Sequence, residues 1–214
     1  MKITIFSESE TDEAALKILI EGILGEEIEA ISFPNHLQSR GSGVPRDVLA
    51  VLRGVYYRTE AEFLVIVRDS DDSPIHTPEH NEAESEEAKK CRLCDLRQKV
   101  ESASENLRPM AGKENFRVAV GVAVPAIEAW LLCGENPSAN EANWINKQKE
   151  KRYSTYNDRQ ALKAELYGSN IAPAKVMIKC GTKAAERLAN NIEQLEQFFP
   201  EGFGNLSKEV KSWR

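Results

Sequence analysis

The chain of 214 residues has no apolar run of the roughly 18–20 residues that a membrane-spanning helix needs. The opening stretch MKITIFSESE has neither the apolar segment nor the small-residue cleavage site of a secretory leader, so a soluble, cytoplasmic protein is expected, with no membrane partner. Positive charge is not in excess. Lys and Arg number 28 against 34 Asp and Glu, a net of −6, which is not the global signature of a nucleic-acid binder. Histidine is scarce, with three in the chain, and cysteine is limited to Cys91, Cys94, Cys133 and Cys180. In a reducing compartment four cysteines read as thiols or metal ligands rather than disulfides. Internal repeats and low-complexity tracts are absent. At 41% hydrophobic, the chain has enough apolar residues to bury a core, so wholesale disorder is excluded.

Charge is unevenly spread. From Asp69 to Glu105 there are 11 acids against 5 bases; from Lys147 to Arg187 there are 10 bases against 4 acids. The two stretches carry −6 and +6. Such a pairing fits a metal site beside a phosphate-binding surface, and fits equally two solvated helix faces.

Hydrophobic periodicity orders the chain. Residues 2–7, KITIFS, alternate as a strand. Ala15, Leu16, Leu19, Ile20, Ile23 and Leu24 recur at helical spacing, stopped by Gly25. Residues 28–33 read as a second strand, and a helix is predicted from Pro45 through Val55. Phe63–Val67 and Val118–Val124 are continuous apolar runs that suit strands buried on both faces. Residues 70–90 read as a long loop, followed by a helix from Leu93 to Leu107. Pro125 suits the first turn of a further helix. After Asn140 the pattern is helix and loop. This order predicts an α/β fold with a mostly parallel four-stranded sheet in a Rossmann-like core over residues 1–140. Residues 141–214 are expected to be a helical annex packed on that core as one compact unit.

In open parallel sheets, ligands bind at the carboxyl ends of the strands. Ser7-Glu8-Ser9-Glu10-Thr11-Asp12 follows the first strand, Asp69-Ser70-Asp71-Asp72 follows the third, and a helix with Glu128 follows the fourth. Three strand ends thus deliver carboxylates to one edge. Carboxylates suit hard cations such as Mg²⁺ or Mn²⁺. The plainer alternative is that Asp and Ser mark turns.

A strand ending in Glu, then small-x-Thr-Asp into a helix, then a later strand ending in Asp-x-Asp, resembles the TOPRIM domain. The matching stretches are IFSESETDEAALKIL and FLVIVRDSDD. The segment AIEAWLL is similar to that of small bacterial TOPRIM-like proteins related to the overcoming-lysogenization-defect nucleases. The resemblance covers roughly residues 2–134. It implies a Mg²⁺- or Mn²⁺-dependent nuclease, with Glu8 as general acid/base or ligand, Asp69 and Asp71 as metal ligands and Glu128 as a supporting ligand. It also implies a nucleic-acid substrate (DNA rather than RNA), a partner ATPase, a plausible dimer, and a setting in phage or mobile-element defence. Ser9 stands where the family has glycine, and Glu10 competes with Glu8 for the glutamate role. A non-catalytic adaptor that binds nucleic acid or an ATPase is the alternative function. A receiver-like domain is a third reading, disfavoured because no lysine follows a later strand.

A second constellation lies in the loop inserted at 70–95. His76-x3-His80 and Cys91-x2-Cys94 together make a Cys₂His₂ set with spacings suited to structural zinc. A loop this poor in apolar residues needs something to order it, and a metal supplies folding energy. Two basic features complete the expectations. Ser39-Arg40-Gly41-Ser42-Gly43, before the predicted helix at Pro45, reads as a turn or as a phosphate cradle with Arg40 or Arg46; no Gly-Lys-Ser/Thr follows it. In the annex, Lys147, Lys149, Lys151, Arg152, Arg159 and Lys163 are candidates for phosphate contacts. Trp144, Tyr153, Tyr156 and Tyr167 there are expected either to stack on bases or to anchor a helical pack. The ending FFPEGFGNLSKEVKSWR reads as a capping helix.

Overall fold

Four strands run parallel in the order β2-β1-β3-β4. The computed structural model describes residues 1–33, 48–81, 85–149 and 154–214. The predicted glycine loop with Arg40 and Arg46, the start of its helix at Pro45, and Lys151, Arg152 and Tyr153 lie outside the described residues.

The central strands β1 (Lys2–Phe6), β3 (Phe63–Asp69) and β4 (Arg117–Ala123) are the apolar runs of the sequence. Ile3 pairs with Phe63, and Phe63 with Arg117, so their carboxyl ends finish at one edge. Successive side chains along a strand leave opposite faces. Ile3, Ile5, Val65 and Val67 join one core cluster, while Phe6, Leu64 and Ile66 join the other. The sheet is therefore buried on both sides, which is why β3 and β4 read as unbroken apolar stretches.

One face is covered by α1 (Glu10–Leu24), α8 (Ala174–Ala189), α9 (Ile192–Phe198) and α10 (Asn205–Lys211). The other is covered by α2 (Val48–Arg58) and α4 (Arg92–Glu105). α1 and α8 approach closely at Gly22, where a Cβ would lie 2.8 Å from the Ala189 Cα. The chain's end does more than cap the fold. Phe199, Phe203, Leu206 and Val210 are fully buried in the sheet's core cluster, so the annex completes one layer of the domain.

Three local expectations change. The strand expected over 28–33 shrinks to β2 (Glu29–Ala30), an exposed edge pairing with Lys2 and Ile3. Residues 70–90 are not wholly loop: a 3-10 turn spans Pro78–Asn81, and a short helix α3 spans Glu86–Lys90 under an N-cap at Ser85. Pro125 precedes α5 (Ile127–Leu131) by two residues, after a cis Val124-Pro125 bond, rather than standing in its first turn. The remaining annex helices are α6 (Glu141–Gln148) and α7 (Tyr156–Tyr167). No helix among the described residues is long and apolar enough to cross a membrane.

Candidate metal centre and carboxylate edge

The carboxylate edge is built by three strand ends and one helix start. β1 stops at Phe6, and Ser9 caps α1 by accepting the amide of Asp12 at 3.2 Å. The backbone at Ser9 is extended (φ −151°), so no glycine is required there. This turn leaves Glu8 at the edge, while Glu10 is an exposed first residue of α1. Glu8 Oε1 accepts the amide of Asp69 at 3.4 Å and lies 3.7 Å from Arg68 Nε. Asp69 closes β3, and its Oδ1 accepts the amide of Ile127 at 3.0 Å. Glu128, on the next residue, is buried. Lys163 of α7 comes within 3.9 Å of Glu128 Oε1, whereas Oε2 has no hydrogen-bond partner.

These charges act on one another. Burial pushes Asp69 well above the usual carboxylate range, and the negative charges of Glu128, Glu8 and Asp12 push it further. Burial, then Glu128, carries Asp12 from 3.8 to about 7. Glu128 is also raised by burial, with Lys163 opposing. The hydroxyl of Tyr167 is buried beside this group, and its pKa rises through burial and then through Glu128 and Asp12. Asp12 thus belongs to the cluster, although it was not among the predicted site residues. Its position in the first turn of the helix that leaves β1 is the signal the sequence carries, and by itself that marks only a helix-dipole partner.

Asp71 and Asp72 lie beside this edge but are met by other partners. Asp71 has a left-handed backbone (φ 49°), unusual for a residue with a side chain. Its Oδ2 accepts Arg92 Nη1 at 2.6 Å, and its Oδ1 is paired with Arg159 of α7. Arg92 also donates to the carbonyl of Asp69 at 2.5 Å. Asp72 caps α7, accepting the amide of Thr155 at 2.6 Å and its hydroxyl at 2.8 Å. Those bonds hold the Asp72 carboxyl below its ordinary range.

The predicted His/Cys set does come together. One ligand atom from each of His76, His80, Cys91 and Cys94 lies within 4.8 Å of the others, so the group could hold a metal ion. His76 Nδ1 is 3.3 Å from Cys94 Sγ and 3.8 Å from Cys91 Sγ. The local structure explains the convergence. Cys91 is the junction of α3 and α4, and Cys94 follows it by one turn on the same face of α4. The His-bearing loop is held by Gln148 of α6, which donates to the carbonyl of Ser73 at 2.9 Å and accepts the amide of Ile75 at 3.3 Å. His76 Nε2 and His80 Nδ1 are buried without partners. Burial, then the neighbouring Cys91, pushes the Cys94 thiol to about 11. Two thiols facing two imidazoles, with ring nitrogens unsatisfied, are a donor set that could hold a metal ion, and thiols give up their protons when they ligate one.

Three of the four described candidate bases, Lys147, Arg159 and Lys163, meet acids. Lys147 pairs with Asp158 at 2.7 Å and lies 4.3 Å from the Trp144 ring centre. Arg159 and Lys163 reach the acidic edge, and Lys149 is exposed. Trp144 and Tyr167 are buried anchors, while Tyr156 is exposed at 60% and is free to stack. Comparisons with protein-family models, with curated proteins and with solved structures find no match for this chain.

Proposed function

We propose that the protein is a divalent-metal-dependent phosphodiester hydrolase, a nuclease of TOPRIM type, with its site at the carboxylate edge. The observation that carries this reading is the convergence of Glu8, Asp12, Asp69 and Glu128 at the carboxyl ends of parallel strands. Burial, and then their mutual repulsion, raises the Asp12 and Asp69 carboxyls above their ordinary range, and one oxygen of Glu128 has no hydrogen-bond partner. Protein folding does not gather buried acids without cause, because each must be neutralised by a proton or a cation. Hard oxygen donors of this number fit Mg²⁺ or Mn²⁺. Glu8, Asp12, Asp69 and Glu128 are the proposed ligands of that ion; the group whose donor atoms already lie within 4.8 Å of one another, among the described residues, is the His/Cys set. When bound at the carboxylates, the ion would polarise a phosphoryl oxygen and lower the pKa of a coordinated water. Of the chain's own groups, Glu8, whose side chain is 32% exposed, suits proton transfer. Lys163 and Arg159 suit the charge that develops on phosphate. DNA is the proposed substrate rather than RNA, with an ATPase partner and a defence setting as the resemblance implies.

For the His/Cys group the proposed metal is zinc, in a structural role: four ligands, two of them thiolates, close the coordination sphere.

The test is cleavage of supercoiled plasmid and of single-stranded oligonucleotides with Mg²⁺ or Mn²⁺. Wild-type activity abolished by Asp69→Asn supports the hydrolase. One observation favours the second reading, a non-catalytic adaptor: Asp71 and Glu128 are already met by Arg92, Arg159 and Lys163. Nucleic-acid binding without cleavage under any divalent ion would select it.

A further inference from the structure

We propose that Arg92 and Arg159 form a clamp for one phosphate group, and that Asp71 fills this clamp until a phosphodiester displaces it. The proposal rests on the phosphodiester reading for the identity of its ligand, but its geometry stands independently of cleavage.

Two guanidinium groups from different parts of the chain meet on one carboxylate. Arg92 opens α4, and Arg159 belongs to the first turns of α7. Each takes one oxygen of Asp71, Arg92 Nη1 at 2.6 Å on Oδ2 and Arg159 Nη1 on Oδ1. Among the described residues Asp71 is the one acid that both arginines grip, and Arg159 is also felt by Asp72 and Glu128. A phosphodiester also presents two anionic oxygens on one centre, and guanidinium donors suit phosphate oxygens in pairs. The clamp has capacity left over: Arg159 Nε is buried without a hydrogen-bond partner. It is also reachable. The arginine side chains are each 25% exposed, and that of Asp71 is 35% exposed.

Asp71 adopts φ 49°, a left-handed backbone that residues other than glycine, asparagine and aspartate seldom take. A turn that needed this backbone for its own sake would be better served by glycine or asparagine. What aspartate adds here is the anion. The clamp adjoins the carboxylate edge, because Arg92 also binds the carbonyl of Asp69. A phosphate seated there would lie beside the proposed metal ligands. Arg92 is flanked by Cys91 and Cys94, so the His/Cys metal centre would hold one jaw in place.

The experiment is binding of a short fluorescein-labelled oligothymidylate by fluorescence anisotropy, in buffer passed over chelating resin and without added Mg²⁺ or Mn²⁺. Asp71→Asn is isosteric and accepts the left-handed backbone, so the turn is kept. If Asp71 fills the clamp about nine-tenths of the time, Asp71→Asn tightens binding about tenfold. Arg159→Gln weakens it, and in that background Asp71→Asn gains little. A variant Asp71→Asn that melts like wild type yet binds equally or more weakly overturns the clamp. The same holds for wild-type protein whose Arg159 Nε–H resonance is unmoved by saturating inorganic phosphate. Tighter binding by Asp71→Asn in a protein that never cleaves would keep the clamp and remove the hydrolase reading. Cleavage with an unchanged Asp71→Asn affinity would do the reverse.

Discussion

Replacing Asp12 by asparagine should stabilise the protein at alkaline pH and in the absence of divalent cations. Asp12 sits in the first turn of α1, where an acid ordinarily gains about 0.3–1 kcal/mol from the helix dipole. Against that stands the rise of its pKa from 3.8 to about 7, caused by burial and then by Glu128. At a pH above both values, the rise corresponds to about 4 kcal/mol of destabilisation, at about 1.4 kcal/mol per pH unit. Asp12 is partly accessible to solvent, so this figure is a ceiling. Subtracting the lost dipole term leaves a net gain of at most about 3–4 kcal/mol for Asp12→Asn near pH 8. The sign follows from linkage. The folded pKa is raised, so wild-type stability is fully present below the unfolded value, falls between about pH 4 and pH 7, and stays low above. Near pH 4 the gain should vanish. Urea unfolding followed by tryptophan fluorescence, at both pH values in resin-treated buffer, measures it. Saturating Mn²⁺ should narrow the difference at pH 8, because the ion stabilises the wild type by about 2.7 kcal/mol at a hundredfold excess over its Kd. An Asp12→Asn variant that is no more stable than wild type at pH 8, or differs from it equally at both pH values, refutes the repulsive cluster.

Asp69→Asn should abolish metal-dependent cleavage while keeping or raising the Tm in metal-free buffer; a loss of both would make Asp69 a structural residue that serves the Ile127 amide. Freshly purified protein should contain about one zinc per chain by elemental analysis, lost in Cys91→Ser and retained in Cys180→Ser; no zinc in unchelated protein ends that assignment. Glu141→Ala should cost about 2–4 kcal/mol in urea unfolding, because it strands the buried amides of Glu201 and Gly202, which Glu141 accepts at 2.9 and 2.6 Å; a cost below about 1 kcal/mol would show that water replaces the carboxylate.

The strands of this fold are legible because burial on both faces leaves no polar residue from Phe63 to Val67 of β3 or from Val118 to Ala123 of β4; the charged Arg68, Asp69 and Arg117 stand at the strand ends. The edge strand β2 was overread: 28–33 looks like a strand by composition, but pairing with β1 is limited to Glu29 and Ala30. The His/Cys set was legible in spacing, since paired ligands on turns and helices recur at fixed separations. The division of labour within Asp69-Ser70-Asp71-Asp72 was not. Alternation put Asp69 and Asp71 together, but the chain leaves the sheet after Asp69 and turns left-handed at Asp71. What decides each aspartate's partner is then a residue distant in sequence: Ile127 for Asp69, Arg92 and Arg159 for Asp71, Thr155 for Asp72. Asp12 was missed for a related reason. An acid in a first turn looks like an ordinary dipole partner until Glu128 is brought beside it.

The opposite charges of the middle and the annex acquire a different meaning once the partners are known. Read along the chain, +6 between Lys147 and Arg187 suggested a surface awaiting phosphate. In the fold, Arg159 goes to Asp71, Lys163 to Glu128 and Lys147 to Asp158. Thr155 receives Asp72, and Gln148 holds the loop that carries His76. Every one of these contacts, save that of Lys147, lands on the carboxylate edge or on the metal loop. The annex therefore builds one wall of the site. Partly exposed ion pairs such as Arg159–Asp71 and Lys147–Asp158 are weak, about 0–1 kcal/mol each, so they are poor candidates for holding the annex in place. That task falls to Phe199, Phe203, Leu206 and Val210 in the core. The arginines and lysine are then available to exchange one anion for another, which is the property that a phosphate-handling edge requires and that a purely structural interface does not.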